Sequence, residues 1–331
     1  MTPPAASAPL AGLSVVLPVL DEQLNLEPLH ARLTEALKPL GREYEVIYVD
    51  DGSTDGSWEV LRRLAAADAR VRLIRLRKSF GQTPALAAGL AHARHPILVT
   101  LDADLQNDPA DVPALVAKLE EGYDVVSGWR KGRQDPWLSR QLPSQIANVL
   151  TRLVTGVRLH DFGCTLKAYR TEVVRDMHLY GEMHRFLPVL AAWVGARIAE
   201  LVVAHHPRTQ GRSKYGLIRT WKVIVDLITL KLLGGFSTRP NHVFATFGLM
   251  SLLLGAASLV IVAYRLLVLR RLEATPMVFF MVVFVLTGVM SLFIGFLAEI
   301  VTRGFYETQR KATYYIRETV GVEPRPPHEP R

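Results

Sequence analysis

Cysteine is all but missing from this chain. Cys164 stands alone among 331 residues, which excludes an internal disulfide and any zinc site built on cysteine pairs. A leader pattern is missing too. The opening "MTPPAASAPLAGL" has no basic region and no long apolar core, so it reads as a disordered tail rather than a signal peptide. The closing "VEPRPPHEPR" is Pro-rich and charged and reads the same way. No G-x-G-x-x-G follows a strand and no G-x-x-x-x-G-K-[ST] occurs, so the usual dinucleotide and P-loop readings lack their fingerprint. Charge is absent from residues 243–264 and from 275–298. Each run exceeds the roughly 20 residues that span a bilayer core. A soluble helical core can imitate one such run, but hardly two in tandem.

What is present divides into three parts. Hydrophobic residues make up 49% and the net charge is +8, which suits an anionic partner: nucleic acid, a nucleotide or the surface of an anionic membrane. From about Leu13 to Arg130, "LSVVLPVL", "YEVIYVDD", "VRLIRLR", "PILVTLDAD" and "DVVSGWR" are short and rich in Val and Ile. Near-continuous apolar runs mark strands covered on both faces. Between them "NLEPLHARLTEALKPL", "SWEVLRRLAAADA", "TPALAAGLAHARH" and "PADVPALVAKLEEG" have helical spacing. This alternation predicts an α/β fold with a mostly parallel sheet and right-handed crossovers. Ligands in such sheets bind beyond the carboxyl ends of the strands.

From about Gln134 to Arg239 the notable stretch is "YGLIRTWKVIVDLITLKLL". Leu217, Trp221, Ile224 and Ile228 follow helical spacing, with Arg219, Lys222 and Asp226 as a polar stripe. A helix packed on the domain core has this pattern. So does a helix in a membrane interface, which the two apolar runs that follow favour. The connector "RLLVLRRLEA" is short, so those runs are expected to form a transmembrane hairpin. Basic residues flank it: Lys231 and Arg239 before, Arg303, Arg310, Lys311 and Arg317 after, against Arg265, Arg270 and Arg271 in the connector. The balance places the large domain in the cytoplasm.

Two carboxylate pairs fall at strand ends. Asp50 and Asp51 close "YEVIYVDD" before a Gly-Ser-Thr turn. Turn and cap chemistry is one account of them, although Ser53 or Asp55 suffices for a cap. The other account is a binding edge that accepts from a base N–H or a ribose hydroxyl. Asp102 and Asp104 follow "PILVTL" two residues apart. In extended chain, residues i and i+2 share a face, so both can approach one hard cation bridging a diphosphate. A polar loop is the bland reading of this D-x-D. Cys164 is expected to be a small buried hydrophobe, and the His205–His206 pair to end a strand rather than hold a metal.

"LPVLDEQLNL", "VDDGSTDGS" and "LDADLQNDP", in this order and spacing, resemble the inverting family 2 glycosyltransferases of the GT-A fold. "SGWRKGR", "SRQLPSQIANVLTRLV", "DFGCTLKAYR", "HRFLPVLAAWVGARIAELVVAHHPR" and "GRSKYGLIRTWKVIVDL" narrow the resemblance. With the two spans, they are similar to polyisoprenyl-phosphate glycosyltransferases. That group includes dolichyl-phosphate mannose synthases and undecaprenyl-phosphate glucosyl and aminoarabinose transferases. The similarity runs from residue 12 to about 315.

The resemblance implies roles. Pro18, Glu22, Asp50, Asp51, Asp102 and Lys214 would serve the nucleotide. Asp102, Asp104 and Gln106 would hold Mg2+ or Mn2+ at the diphosphate, with Asp104, Asp161 and Arg130 at the catalytic centre. Arg130, Arg140 and Ser144 would receive the acceptor phosphate, and Arg212, Ser213 and Lys214 would close over the donor phosphates. A basic loop at Arg130 and a surface helix at Arg140 are the bland readings. The implied partners are a nucleotide-sugar donor (UDP- or GDP-linked), an undecaprenyl or dolichyl phosphate acceptor and the lipid bilayer. A homo-oligomer is implied, for which a tetramer fits, and no nucleic acid. The implied layout is a tail at 1–11, a GT-A catalytic domain at 12–214, interfacial helices at 215–240, two transmembrane helices within 241–301 and a cytoplasmic tail at 302–331. The location would be the inner (plasma) membrane, multi-pass.

The acceptor phosphate has a second pKa of about 6 and is already mostly dianionic at neutral pH. It has little need of a general base. Asp161 is therefore expected to orient Arg130 or Lys167, or to help hold the acceptor. Two rivals stand beside this reading. Processive polysaccharide synthases share the early motifs but carry Q-x-x-R-W, and none of the five tryptophans here follows an Arg. A non-catalytic membrane partner of a lipid-carrier pathway is the other, against which the intact Asp50, Asp102 and Asp104 speak.

Overall fold

The computed structural model describes residues 11–131, 142–175, 177, 179, 183–207, 241–267, 276–308 and 314–322. The chain divides into two compact units, Met1–Leu227 with Ala312–Arg331, and Ile228–Lys311.

The first unit is built on an eight-stranded sheet in the order β7-β5-β6-β4-β1-β2-β3-β8. Strands β1 (Gly12–Val19), β2 (Glu43–Asp50), β3 (Val71–Leu76) and β4 (Ile97–Thr100) run parallel, as do β5 (Val125–Trp129) and β7 (Ile198–Val202) with each other. Two strands run against them. β6 (Lys167–Arg170) lies between β4 and β5, and β8 (Ile316–Val320) lines the free edge of β3. Helices α1 (Gln23–Leu37), α2 (Ser57–Ala67), α3 (Gln82–His92) and α4 (Val112–Glu120) fill the crossovers. α5 (Leu142–Thr155), α6 (Thr171–Val174) and α7 (Leu187–Trp193) follow.

Both sheet faces are covered, which explains the unbroken apolar runs. On one face Leu13, Val15 and Leu17 of β1 and Val46 and Tyr48 of β2 pack with Leu26, Leu29 and Leu33 of α1, Leu61 of α2 and Leu115 of α4. On the other, α3 lies so close that a Cβ on Gly89 would strike Val16, with Val49 behind it. Glycine is thus required at 89 by close approach.

Strand β8 was not expected. It falls inside the segment assigned to a tail at 302–331. Leu73 pairs with Val320 and Arg75 with Glu318, and Tyr315 O accepts from Arg77 N at 2.9 Å. The pattern IRETV is short and alternates with charge, as suits an edge strand with one wet face.

The second unit contains α8 (Asn241–Leu267) and α9 (Pro276–Thr308). Within them Thr246–Leu267 and Pro276–Leu297 are long and apolar enough to cross a membrane. Their packing inverts that of a soluble core. Small residues face inward: Gly248, Ser251, Gly255 and Ser258 of α8, and Gly288, Ser291 and Gly295 of α9, are buried. A Cβ on Gly288 would come 2.9 Å from Gly248 O, and one on Gly255 2.8 Å from Val285. Large apolar side chains face outward, with Phe293 72% and Leu267 76% exposed. Small residues inside and large ones outside is how helices pair in lipid, where close backbone approach replaces hydrophobic drive. The segment 215–240, read as interfacial helices, lies outside the described residues.

Candidate active site

The carboxyl ends of β1, β2, β4 and β5 lie along one edge of the sheet, and Pro18, Asp50, Asp51, Asp102, Asp104 and Arg130 sit at or just past those ends. After β1, Asp21 takes a positive φ of 51°, and its Oδ1 accepts from Thr54 N at 2.8 Å. Ser53 and Ser57 hydroxyls accept from Asp21 N (3.0 Å) and Glu22 N (2.9 Å). The β1–α1 and β2–α2 loops are thereby stitched together. Glu22 Oε2 also accepts from Asn25 Nδ2 at 2.6 Å.

Asp50 and Asp51 are both buried. Asp50 Oδ1 accepts from Ser53 N at 3.0 Å, and Oδ2 lies 3.2 Å from Arg75 Nε. Asp51 Oδ1 accepts from Phe80 N (2.7 Å), and Oδ2 from Ser79 Oγ (2.8 Å) and Gly81 N (2.9 Å). Burial raises the pKa of each above the usual carboxylate value, and these donors act against it. The pair is therefore not surplus to turn chemistry: one oxygen of Asp50 and both of Asp51 hold loops in place. Gly52, at φ +74°, leaves no room for a side chain beside the 78–79 backbone.

Asp102 and Asp104 follow β4. Gln82 Nε2 donates to Asp102 Oδ1 at 2.7 Å, and Gln106 N donates to Asp104 Oδ1 at 3.2 Å. Burial, then the charge of Asp104, pushes the Asp102 carboxyl up to about 7. Among the described residues no cluster of three or more His, Cys, Asp or Glu encloses a metal. Two neighbouring carboxylates do fit a hard cation that completes its shell with water and substrate phosphate. Gln106 takes part through its backbone: its O accepts from His206 N at 2.8 Å. This seats the 203–206 segment on the loop, where His206 Nε2 meets Asp108 Oδ2 at 3.0 Å and His205 bridges Asn107.

Arg130, just past β5, is gripped by Asp161. Nε reaches Asp161 Oδ2 at 2.7 Å and Nη2 reaches Oδ1 at 3.0 Å, a fork-to-fork pair. The side chains are 12% and 5% exposed. Burial opposes the Arg130 charge, but Asp161 more than offsets it and the pKa rises above the ordinary arginine value. Of the two neighbours expected for Asp161, the fork goes to Arg130. Asp161 is held in turn: its N donates to Glu200 Oε1 at 3.0 Å, and Asn148 of α5 binds His160 O (2.8 Å) and Phe162 N (3.3 Å). Cys164 is fully buried, and burial pushes its thiol up to about 11, as befits an inert hydrophobe.

A small cleft opens beside Asp102. Pro18, Gln82, Thr100, Thr165, Lys167 and His184 contribute to its wall. Thr83 Oγ1 and His184 Nδ1 are 2.7 Å apart. Gln82 and Thr83 lie outside the motifs that carry the resemblance, and Thr165 and His184 stand inside two of them without being singled out. Ser144 lies on α5. Arg140, Arg212, Ser213 and Lys214 lie outside the described residues.

Residues 14–177 match the family Glycosyl transferase family 2. The chain is 38% identical over 314 residues to the dodecaprenyl-phosphate galacturonate synthase of Rhizobium johnstonii, covering 92% of each. It is 37% identical over 311 residues to the undecaprenyl-phosphate 4-deoxy-4-formamido-L-arabinose transferase of Edwardsiella ictaluri, covering 93% of this chain and 94% of that one. Among solved structures, glucosyl-3-phosphoglycerate synthase from Mycobacterium tuberculosis with uridine diphosphate is 23% identical, with a TM-score of 0.50 over 67% of this chain and 80% of that one. This last likeness shows the GT-A fold. The family match, with the identity to the first two relatives over more than nine-tenths of the chain, gives the conclusion that the chain belongs to glycosyl transferase family 2, among its polyprenyl-phosphate sugar transferases.

Proposed function

We propose that this protein moves one sugar from a nucleotide sugar to the phosphate of a membrane polyprenyl phosphate, with inversion at the anomeric carbon. The observation that carries this reading is the pairing, in one chain, of the carboxylate and arginine edge with two lipid-type helices. Both lie within the span aligned to relatives named for polyprenyl-phosphate sugars.

A divalent cation on Asp102 and Asp104 would supply charge neutralisation at the donor diphosphate. The remaining work falls to the chain's own residues. Asp50 and Asp51 fix the loops against which base and ribose would lie, with Pro18 and Glu22 on the β1 side. Arg130, held in one orientation by Asp161, presents its remaining N–H face to the acceptor phosphate, and Ser144 at the start of α5 supports it. Arg140 is assigned to the same phosphate, and Arg212, Ser213 and Lys214 to the donor. The nucleophile is a phosphate oxygen already charged at neutral pH. The barrier is the approach of two anions, and fixed cations lower it. Asp161 accordingly acts through Arg130, not as a base.

The helical pair is read as a membrane hairpin. β8, which follows it, lies in the same sheet as the strands that precede it, so the chain leaves and returns on one side. Flanking basic residues favour the cytoplasm for that side. The testing experiment is a screen of UDP- and GDP-linked sugars, uronic acids and aminopentoses included, with the purified protein and undecaprenyl phosphate. A lipid-linked sugar from at least one donor is expected. Hydrolysis alone, or no reaction with any, would overturn the reading.

A further inference from the structure

Lys167 has no task in this account, yet it lines the cleft beside Asp102. It opens β6, opposite Thr100 of β4 and Ser127 of β5. Because β6 runs against its neighbours, its first residue lies toward their carboxyl edge, between the strands that lead into Asp102 and Arg130. Its residue exposure is 2%, and it lines the cleft together with Asp102, Gln82 and Thr165.

Its partners do not match its charge. Nζ donates to Phe162 O at 3.2 Å. No carboxylate pairs with it among the described residues, and Asp161, in the same loop, is committed to Arg130. Even half-buried cations of this unit have a carboxylate beside them: Arg72 lies against Glu45 and Arg75 against Asp50. An ammonium group offers several donors, and burying it with one neutral acceptor is costly. Burial lowers its pKa to about 8, which still leaves it charged at neutral pH. The anion common to both proposed substrates is phosphate, which a lysine binds as a point charge.

We propose that Lys167 is a further substrate-binding residue, whose ammonium group contacts a phosphate oxygen of the donor diphosphate or of the acceptor lipid in the cleft beside Asp102. This rests on the reading under Proposed function. The competing account is that the bond to Phe162 O pins the 161–166 loop and does nothing else.

The test uses the full-length protein in detergent with Mg2+ at neutral pH. Binding is measured by calorimetry for UDP or GDP, whichever the wild type takes, and for undecaprenyl phosphate. The matching nucleoside and undecaprenol are the phosphate-free controls. Lys167→Met keeps the stem and removes the charge. It is expected to weaken one phosphate ligand by about tenfold or more, to leave the controls unchanged, and to be largely rescued in Lys167→Arg. The ligand that weakens identifies which phosphate is met. If Lys167→Met does not fold, Lys167→Gln takes its place. Both phosphates bound within about twofold of wild type, or controls weakened as much as phosphates, would overturn the inference. A wild type that binds neither phosphate would overturn the functional reading itself.

Discussion

At the scale of the residue, most of the acidic side chains at the site edge are occupied with one another's surroundings. Asp161 is the clearest case, since both its oxygens are spent on Arg130. Asp161→Asn keeps the shape but removes the charge. Turnover should fall by roughly tenfold to hundredfold, the worth of a lost charge-assisted hydrogen bond, while the pH profile of kcat keeps its form. A base would contribute about 10²–10⁴-fold and its loss would remove the acidic limb of that profile. The pH profile of kcat, with both substrates saturating, separates the two. Gly52 tests the loop packing. Alanine there meets both the left-handed penalty of about 1–2 kcal/mol and the 78–79 backbone, 2.6 Å from the added Cβ. Gly52→Ala should lower the melting temperature by several degrees. It should also weaken nucleotide binding, because the displaced backbone carries the donors to Asp51.

At the scale of the element, the strands and helices legible in sequence are those whose composition alone decides them. β1 to β3 and α1 to α4 are long, apolar and punctuated by turns, and they lie within a few residues of where periodicity puts them. β6 and β8 were not legible, and β7 only as a strand expected to end at His205–His206, whereas it ends at Val202. KAYR is four residues with a buried lysine, and IAELV and IRETV are short with charges inside. The sheet that receives them, not local propensity, makes them strands. The site divides likewise. Asp102, Asp104, Arg130 and Asp161 are the charged residues that stand out in recognisable motifs, whereas Gln82 lies in none, and Thr165 and His184 are neutral members of theirs whose place in the cleft only the folded chain shows. β8 offers a graded prediction. Glu318→Gln removes a half-exposed pair with Arg75 and should cost under about 1 kcal/mol. Ending the chain before Tyr314 strips the edge of β3 and should lower the melting temperature far more. α1 offers a pH prediction. Burial lowers the pKa of His30 below its ordinary 6.5, and Asp68 opposes this only in part. Below 6.5 the unfolded chain therefore takes up a proton that the folded chain resists, so stability is lost as pH falls from 6.5 toward the lowered value. His30→Gln should show a shallower decline in melting temperature between about pH 7 and 5.5 than the wild type.

At the scale of the whole molecule, a sheet unit and a pair of lipid-type helices share one chain, and the sheet takes strands from both sides of that pair. An even number of crossings follows if the pair spans a membrane. Reporter fusions at Pro3 and Pro330 should give the same side, and a tag near Arg271 the opposite one. Disagreement between the two termini would remove the hairpin. The central claim is that the carboxylate edge drives sugar onto a lipid phosphate. Its most direct test is release of nucleoside diphosphate by the purified protein, with and without undecaprenyl phosphate, for wild type and for Asp104→Ala. The account predicts release that depends on the lipid phosphate, is matched by lipid-linked sugar, and is lost in a folded Asp104→Ala. Release that ignores the lipid phosphate, or that continues unchanged in Asp104→Ala, would contradict it.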